Sequence, residues 1–451
     1  MTDITPPDSP PMLSGARPVI GHAAEFIRHP VGIAERGHAE CGRAFSVRIP
    51  GRTAYMFIGP EHNRFFFSET DKRLSIRTAY PFFVRMFDPA FYFFAGADEY
   101  KRQRALVLPR FQGKQLQNYV RTMVDEVVDL DRALGDAGEF DLVRTMGPLV
   151  MRIAARAFLG HDFSARLENG FFETFRRFSA GMDPIMPGWL PLPHLLRSRR
   201  AKRRLHRLMG ELIEQRRRDP VEPGDFLQTL IEARYDDGDE VPDQVLINLI
   251  LLFSWAGHET TTGHISWAVI DLLQHPDKLA RVVAEAHAVL DGKPAEELTL
   301  SDVGRLKYLD HALHETERLH PVAFTMARTA AETFEYQGYT IPRGAMLMIS
   351  PAVTHRLGEL YPDPHEFRPE RFAENPKDTR YLVGFGGGVH RCLGVHFAYL
   401  EMTIALAHLF REFDLELLDR NPRPVPGAHT KWPESPCRVR YTRKVTARRP
   451  A

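Results

Sequence analysis

Apolar and polar positions change rhythm along the chain, and each change predicts a different kind of element. Two short apolar runs, Phe45–Ile49 and Ala54–Ile58, flank Pro50-Gly51-Arg52 and predict a hairpin. From about Asp98 to Leu290 the apolar positions recur at helical spacing, with breaks at Pro109, Gly135–Gly138 and Met182–Pro193. Strand-like runs return at Glu335–Ile341 and Ala345–Ile349. Beyond Tyr361 the chain turns proline-rich and irregular, passes a glycine-rich loop and enters an apolar helix from about Cys392 to Phe413. No internal repeat or low-complexity linker divides it. The pattern predicts a mainly α fold with small β-sheets: a flexible tail over residues 1–15, then a single domain over 16–451.

Composition changes this picture little. Across 451 residues, 43% are apolar and 26% charged, as in ordinary globular proteins. A formal charge of +1 leaves no electrostatic footprint for nucleic acid. The densest basic block, Arg197–Arg207, reads as a solvated helix face. The longest nearly apolar run, Val245–Gly257, is too short to span a bilayer and carries Asn248. Met1–Gly15 has no apolar core of the kind a signal peptide or anchor needs. Cys41, Cys392 and Cys437 are too few for a disulfide framework, and no CxxC or Cys/His cluster suggests zinc. A reducing, cytoplasmic setting is expected.

Candidate chemistry concentrates at Phe385-Gly386-Gly387-Gly388-Val389-His390-Arg391-Cys392-Leu393-Gly394. Successive glycines permit backbone conformations and close approaches that residues with a Cβ resist. Cys392 stands where an apolar helix begins, and helix N-termini favour thiolate over thiol. On the residues alone, a buried structural cysteine beside a turn competes with a lone thiolate for one axial bond to a haem iron. The ten-residue pattern resembles the haem-ligand signature of the cytochrome P-450 superfamily, carried by Phe385, Gly388, Cys392 and Gly394 with basic Arg391 before the sulfur. The resemblance implies the fold of that superfamily, a triangular-prism helical domain plus a β-rich lobe, and haem b (iron protoporphyrin IX) as cofactor. Thiolate ligation pushes electron density onto the iron and favours O–O cleavage.

Further motifs extend the resemblance over nearly the whole chain. Glu315 and Arg318 are three apart on a predicted helix and can pair. With Arg371 they match the superfamily's ExxR and loop arginine, a structural network. Ala256-Gly257-His258-Glu259-Thr260 places glycine and hydroxyl residues inside a long helical pattern, where they are locally unfavourable. Relatives use this stretch as the oxygen site. There Ala256 and Gly257 would leave room for dioxygen, and Thr260 and Glu259 would deliver protons to it. Haem contacts implied by position are Tyr80, Tyr100, Lys101, Arg104, Arg328, Phe385 and His390.

Within the superfamily the sequence is most similar to bacterial sterol 14α-demethylases, notably at Ala79-Tyr80-Pro81-Phe82-Phe83 and Met86-Phe87. It departs from them at Asp88-Pro89, where they carry glycine, at Phe94, where they carry Asp, and at Glu259, where His or Thr is usual. Phe83, Phe87, Phe253, Trp255, Phe324, Met326 and Trp432 are expected to line a large apolar pocket. The expected activity is insertion of one oxygen atom from O2 into a lipophilic substrate, a sterol, steroid or terpenoid. A peroxygenase, a fatty-acid hydroxylase and a non-catalytic haem sensor are the rivals. No GxGxxG follows a strand, so electrons are expected from a separate ferredoxin and its NAD(P)H-dependent reductase. Arg391, Arg110 and Lys101 are candidate docking charges.

Overall fold

A computed structural model of the protein describes residues 9–80, 83–88, 91–92, 95–160, 171–181, 191–222, 224–294, 297–426 and 431–445. The strands are β1 (Ala44–Ile49), β2 (Arg52–Phe57), β3 (Leu74–Ser75), β4 (Ala137–Asp141), β5 (Met326–Ala330), β6 (Phe334–Tyr336), β7 (Tyr339–Ile341), β8 (Met346–Ile349), β9 (Phe413–Leu417) and β10 (Arg438–Arg443). The helices that carry or support the site are α1 (Ala97–Val107), α2 (Lys114–Leu134), α3 (Leu142–Leu159), α4 (Phe171–Ser179), α5 (Pro193–Arg218), α6 (Asp243–Gln274), α7 (Pro276–Leu290), α8 (Lys307–Leu319) and α9 (Val395–Glu412). Contacts divide the chain into two compact units. Residues 1–81, 314–392 and 424–431 form the first, and 82–313, 393–423 and 432–451 the second.

In the first unit, strands in the order β1-β2-β8-β5-β3 form a five-stranded sheet, antiparallel except for the β2–β8 pair. Both faces are covered. Phe45, Val47, Ala54 and Met56 pack with Ile33 and Ala34 in one cluster, and Tyr55, Phe57, Leu347 and Ile349 with Phe66 and Phe67 in the other. The predicted hairpin turns on Pro50-Gly51 alone: Ile49 pairs with Arg52, and Gly51 has φ +76°. The expected single strand Glu335–Ile341 is instead the β6–β7 hairpin, with Gln337 (φ +53°) and Gly338 (φ +77°) at its tip. Apolar positions shift phase there, from Phe334 and Tyr336 to Tyr339 and Ile341, which is the mark of a two-residue turn at Gln337-Gly338. The segment from Pro10, expected to be loose, is docked on β1. The Leu13 amide donates to the Ser46 carbonyl at 2.9 Å, and the Leu13 side chain is 1% exposed. Residues 1–8 lie outside the described residues.

In the second unit α6 packs along α3, α5 along α4, and both α2 and α7 against α9. Helix α6 buries residues on every face over most of its length, which explains an apolar run with little amphipathic pattern. A three-stranded sheet, β4-β10-β9, completes the unit. The basic block lies on α5, where Leu195, Ala201, Leu205 and Met209 are buried while Arg199, Arg203 and Arg207 face solvent, as expected for a solvated face. No helix among the described residues is long and apolar enough to cross a membrane.

Candidate active site

The first unit holds the cysteine loop on a buried ionic scaffold. The Glu315 carboxylate accepts two bonds from Arg318 at 2.8 Å, one from Arg371 Nε at 2.9 Å and one from the Arg368 amide at 2.8 Å. All three charged side chains are essentially fully buried. One carboxylate against two guanidiniums leaves excess positive charge, which backbone carbonyls solvate. Arg318 donates to the carbonyls of His355, Pro364 and Glu366, and Arg371 to that of Pro362. Such a network is stable only when every polar atom is satisfied, and it gathers the loop 355–371 around one carboxylate.

Two residues that sequence reasoning missed extend this hold to the cysteine loop itself. Glu317 accepts from the Gly384 amide at 3.1 Å, and buried His355 accepts from the Val383 amide at 2.9 Å. Burial, with the Arg318 cation behind it, pushes the His355 imidazole down to about 3, so the ring stays neutral and can accept. Glu317 lies inside ETER beside the motif residues, and its burial on α8, at 5% exposed, is decided by the fold.

Two glycines of the loop are forced by geometry. Gly388 has φ +61°, and a Cβ there would stand 2.8 Å from the Phe67 carbonyl oxygen; a Cβ on Gly387 would stand 2.6 Å from the Phe67 ring. The Cys392 amide donates to the Phe385 carbonyl at 2.9 Å, closing the loop just before the sulfur. The residue Cys392 is solvent-exposed within its unit, and α9 starts three residues later with Gly394 as its N-cap. None of the cysteines is in a disulfide. Among the described residues no group of three His, Cys, Asp or Glu gathers to hold a metal. One cysteine on an exposed loop closed by its own backbone bond therefore fits an iron that brings its other ligands with it.

Other residues expected beside haem in this unit are already engaged. Arg328, 4% exposed, donates to the Thr70 hydroxyl at 3.1 Å and the Ala327 carbonyl at 2.8 Å. His390 bonds the Asp71 carboxylate at 2.6 Å, and the Tyr80 hydroxyl accepts from the Ala327 amide at 2.8 Å. Met326 opens β5, and the Lys431 ammonium lies over the Phe324 ring at 4.9 Å.

In the second unit α6 runs unbroken through Ala256–Thr260. The Thr260 hydroxyl donates back to the Ala256 carbonyl at 2.7 Å, and the Trp432 indole donates to the Glu259 carbonyl at 2.8 Å. Both take backbone acceptors that an undisturbed helix keeps for itself. Burial alone raises the Glu259 carboxyl to about 7 and lowers the neighbouring His258 to about 4. His258 Nδ1 lies 3.9 Å from Glu259 Oε1. A Cβ at Gly257 would meet Ala154 and Phe158 at 3.8 and 3.9 Å, so its bare side turns to α3, at ordinary contact distance.

Beside this stretch, Phe83 stands edge-on to Trp255 at 5.5 Å and Phe87 at 6.4 Å, forming an aromatic wall. Phe253 is not part of it. It packs with Phe111, Phe158 and Phe226 at 5.2–6.2 Å between ring centroids, in the hydrophobic core, because two residues along a helix turn a side chain through about 200°. Asp88 is clasped by Asn248 at 3.0 Å and Lys202 at 3.2 Å, tying the Phe83–Asp88 segment to α6 and α5. Burial pushes its carboxyl up, but Asn248 and Lys202 outweigh that and hold it below the usual range. Asn248, odd in an apolar run, thus has a partner. Pro81, Phe82, Pro89, Phe93 and Phe94 lie outside the described residues. Buried Tyr100 and Tyr92, their rings 4.6 Å apart, cluster with half-buried Arg104, and Lys101 is exposed near Asp98. Arg110, expected as a docking charge, has its guanidinium bonded to Thr229 and the Leu106 carbonyl.

These features coincide with a known family. The cytochrome P450 family model matches residues 10–437, and the chain belongs to that family of haem-binding monooxygenases. It is 29% identical to a sterol 14alpha-demethylase of Mycolicibacterium vanbaalenii over 450 residues, which cover 96% of this chain and 98% of that one. It is 27% identical to a lanosterol 14-alpha demethylase of Bos taurus, over 97% and 88% of the two chains. A retinoic acid bound cyanobacterial CYP120A1 shares the fold with a TM-score of 0.86 at 26% identity, over 97% of this chain and 100% of that one. The expected family, fold class, haem and monooxygenase chemistry all hold.

Proposed function

We propose that this P450 inserts one atom of dioxygen into a C–H bond of a sterol-like or comparably rigid polycyclic substrate, with electrons from a ferredoxin and its NAD(P)H-dependent reductase. The observation that carries the dioxygen-activating part is Glu259, a buried carboxyl pushed up to about 7 next to Thr260. Near neutral pH such an acid is half protonated and can both take and give a proton. Haem, when bound, would supply a reducible iron for dioxygen chemistry, and Cys392 would hold it through its thiolate. Glu259 holds the proton to be delivered. The Thr260 hydroxyl, bonded back to the Ala256 carbonyl, presents its oxygen as acceptor for that proton and releases its own on rotating away. Arg328, His390, Tyr80, Tyr100, Arg104 and Lys101 stand as candidate partners of the haem periphery, and Phe385 closes the loop beside the sulfur. Relatives named as sterol 14-demethylases and the Phe83–Phe87–Trp255 wall support the choice of substrate.

The test is a spectral titration of the ferric holoenzyme with a 14α-methyl sterol, followed by product analysis with a surrogate ferredoxin system. Displacement of the haem water and a 14-desmethyl product establish demethylation. No shift and no product, with a normal thiolate spectrum of the reduced carbonyl complex, reject the sterol and leave the monooxygenase.

A further inference from the structure

The Trp255 indole Nε1 is buried and has no hydrogen-bond partner among the described residues. Native proteins leave few buried donors unmade, because the group forfeits its bond to water without a replacement. Its surroundings deepen the anomaly. The ring is walled by Phe83 and Phe87, neither of which accepts a conventional hydrogen bond. Of the polar groups on the adjoining clasp, Asp88, Asn248 and Lys202 are committed to one another. Trp255 also lies four residues, about one helical turn, before Glu259, so the two share a face of α6. A lone N–H in an aromatic wall, one turn from the proton-delivering carboxyl, is the arrangement that orients an apolar ligand by a single polar atom.

We propose that Trp255 is a specificity-determining residue: its indole N–H donates to one neutral oxygen, a ketone or hydroxyl, on an otherwise hydrocarbon substrate. A carboxylate is disfavoured because Lys202, the cation of the Asp88 clasp, is already taken by Asp88. This rests on the reading of the Phe83–Phe87–Trp255 wall as the pocket for a lipophilic substrate.

The experiment titrates the purified ferric holoenzyme with matched pairs, 5α-androstane against 5α-androstan-3-one and bicyclohexyl against 4-cyclohexylcyclohexanone, and follows the haem absorbance. Wild type is expected to bind at least one ketone about tenfold more tightly than its hydrocarbon, the value of one hydrogen bond to a donor otherwise left bare. Trp255→Phe, which keeps the aromatic wall and removes the N–H, is expected to bring that ratio to within about twofold of unity by weakening the ketone alone. A wild-type ratio near unity in every pair that binds overturns the proposal, and means that the indole bonds water. A preference that survives in Trp255→Phe overturns it as well, by assigning the oxygen to another group. No shift with any probe, in protein whose reduced carbonyl complex has the thiolate spectrum, overturns the lipophilic pocket and this proposal with it. A ratio that behaves as expected while 14α-methyl sterols are rejected keeps the Trp255 assignment and removes only the sterol.

Discussion

At the scale of single residues, the site is governed by what burial does to Glu259 and His258. Both are forced toward neutrality, the carboxyl up to about 7 and the imidazole down to about 4. For catalysis the sign is simple: above about pH 7 Glu259 loses the proton it is proposed to deliver. Product formed per reductant consumed is expected to fall as pH rises through 7 in wild type. Glu259→Gln is expected to remove that limb and lower turnover by about 10²-fold. A Gln variant that kept both rate and pH profile would take Glu259 out of the proton path. Stability carries the same groups with definite signs. The Glu259 contribution is present below 4.5 and lost as pH rises through about 7; that of His258 is present above 6.5 and lost as pH falls through about 4. Denaturation midpoints across pH 4–9, wild type against Glu259→Gln, check the alkaline limb. Gly257 makes a further test. A methyl there meets ordinary contacts, so Gly257→Ala is expected to fold and to gain up to about 1 kcal/mol from helix propensity. If its coupling is unchanged, Gly257 is not what makes room for dioxygen.

At the scale of elements, two polar clusters set the positions of what surrounds the chemistry. The Glu315–Arg318–Arg371 network ties α8 to the loop 355–371, while Glu317 and His355 pass the hold to Val383 and Gly384. Removing the carboxylate that both guanidiniums share strips two buried cations of their partner, so Glu315→Ala is expected to cost about 3–5 kcal/mol and to release haem, read by denaturant titration and haem content. Glu317→Gln retains an acceptor oxygen and is expected to keep haem, which separates the loop tether from the charge network. The Asp88 clasp joins a short segment to two helices. Asp88→Ala strands Asn248 and Lys202 and is expected to cost about 1–3 kcal/mol. It is also expected to weaken ligand titrations by freeing Phe83 and Phe87. Unchanged affinity would show that the clasp is purely structural.

At the scale of the whole molecule, the chain forms two units, each crossed by several separate stretches of sequence. The cysteine loop with its ionic scaffold belongs to the first, and the Glu259–Thr260 stretch with its aromatic wall to the second. The N-terminal segment shows how far such assembly reaches: Leu13 is buried in the first unit's core, and Ser46 bonds both Pro10 and Pro11. Deleting residues 1–15 is expected to cost at least about 2 kcal/mol, from one buried leucine and its strand bonds.

Local chemistry made much of this legible in the sequence. The cysteine loop, ExxR and the Ala256–Thr260 stretch are short motifs whose residues are close along the chain, and Gly387 and Gly388 declare a backbone that nothing larger could follow. Helical spacing announced the solvated face of α5 for the same reason, since period is a property of neighbours in sequence. Other features depend on residues far apart in the chain, and only tertiary structure decided them. Asn248 is explained by Asp88, Gly388 by Phe67, and the hold on Gly384 by Glu317. Phe253 and Trp255 are alike in sequence terms, yet the turn of one helix sends the first into the core and leaves the second with an unmade hydrogen bond among the described residues. The pKa values of Glu259 and His258 are likewise invisible in the sequence, because desolvation is set by what packs around a residue rather than by the residue itself.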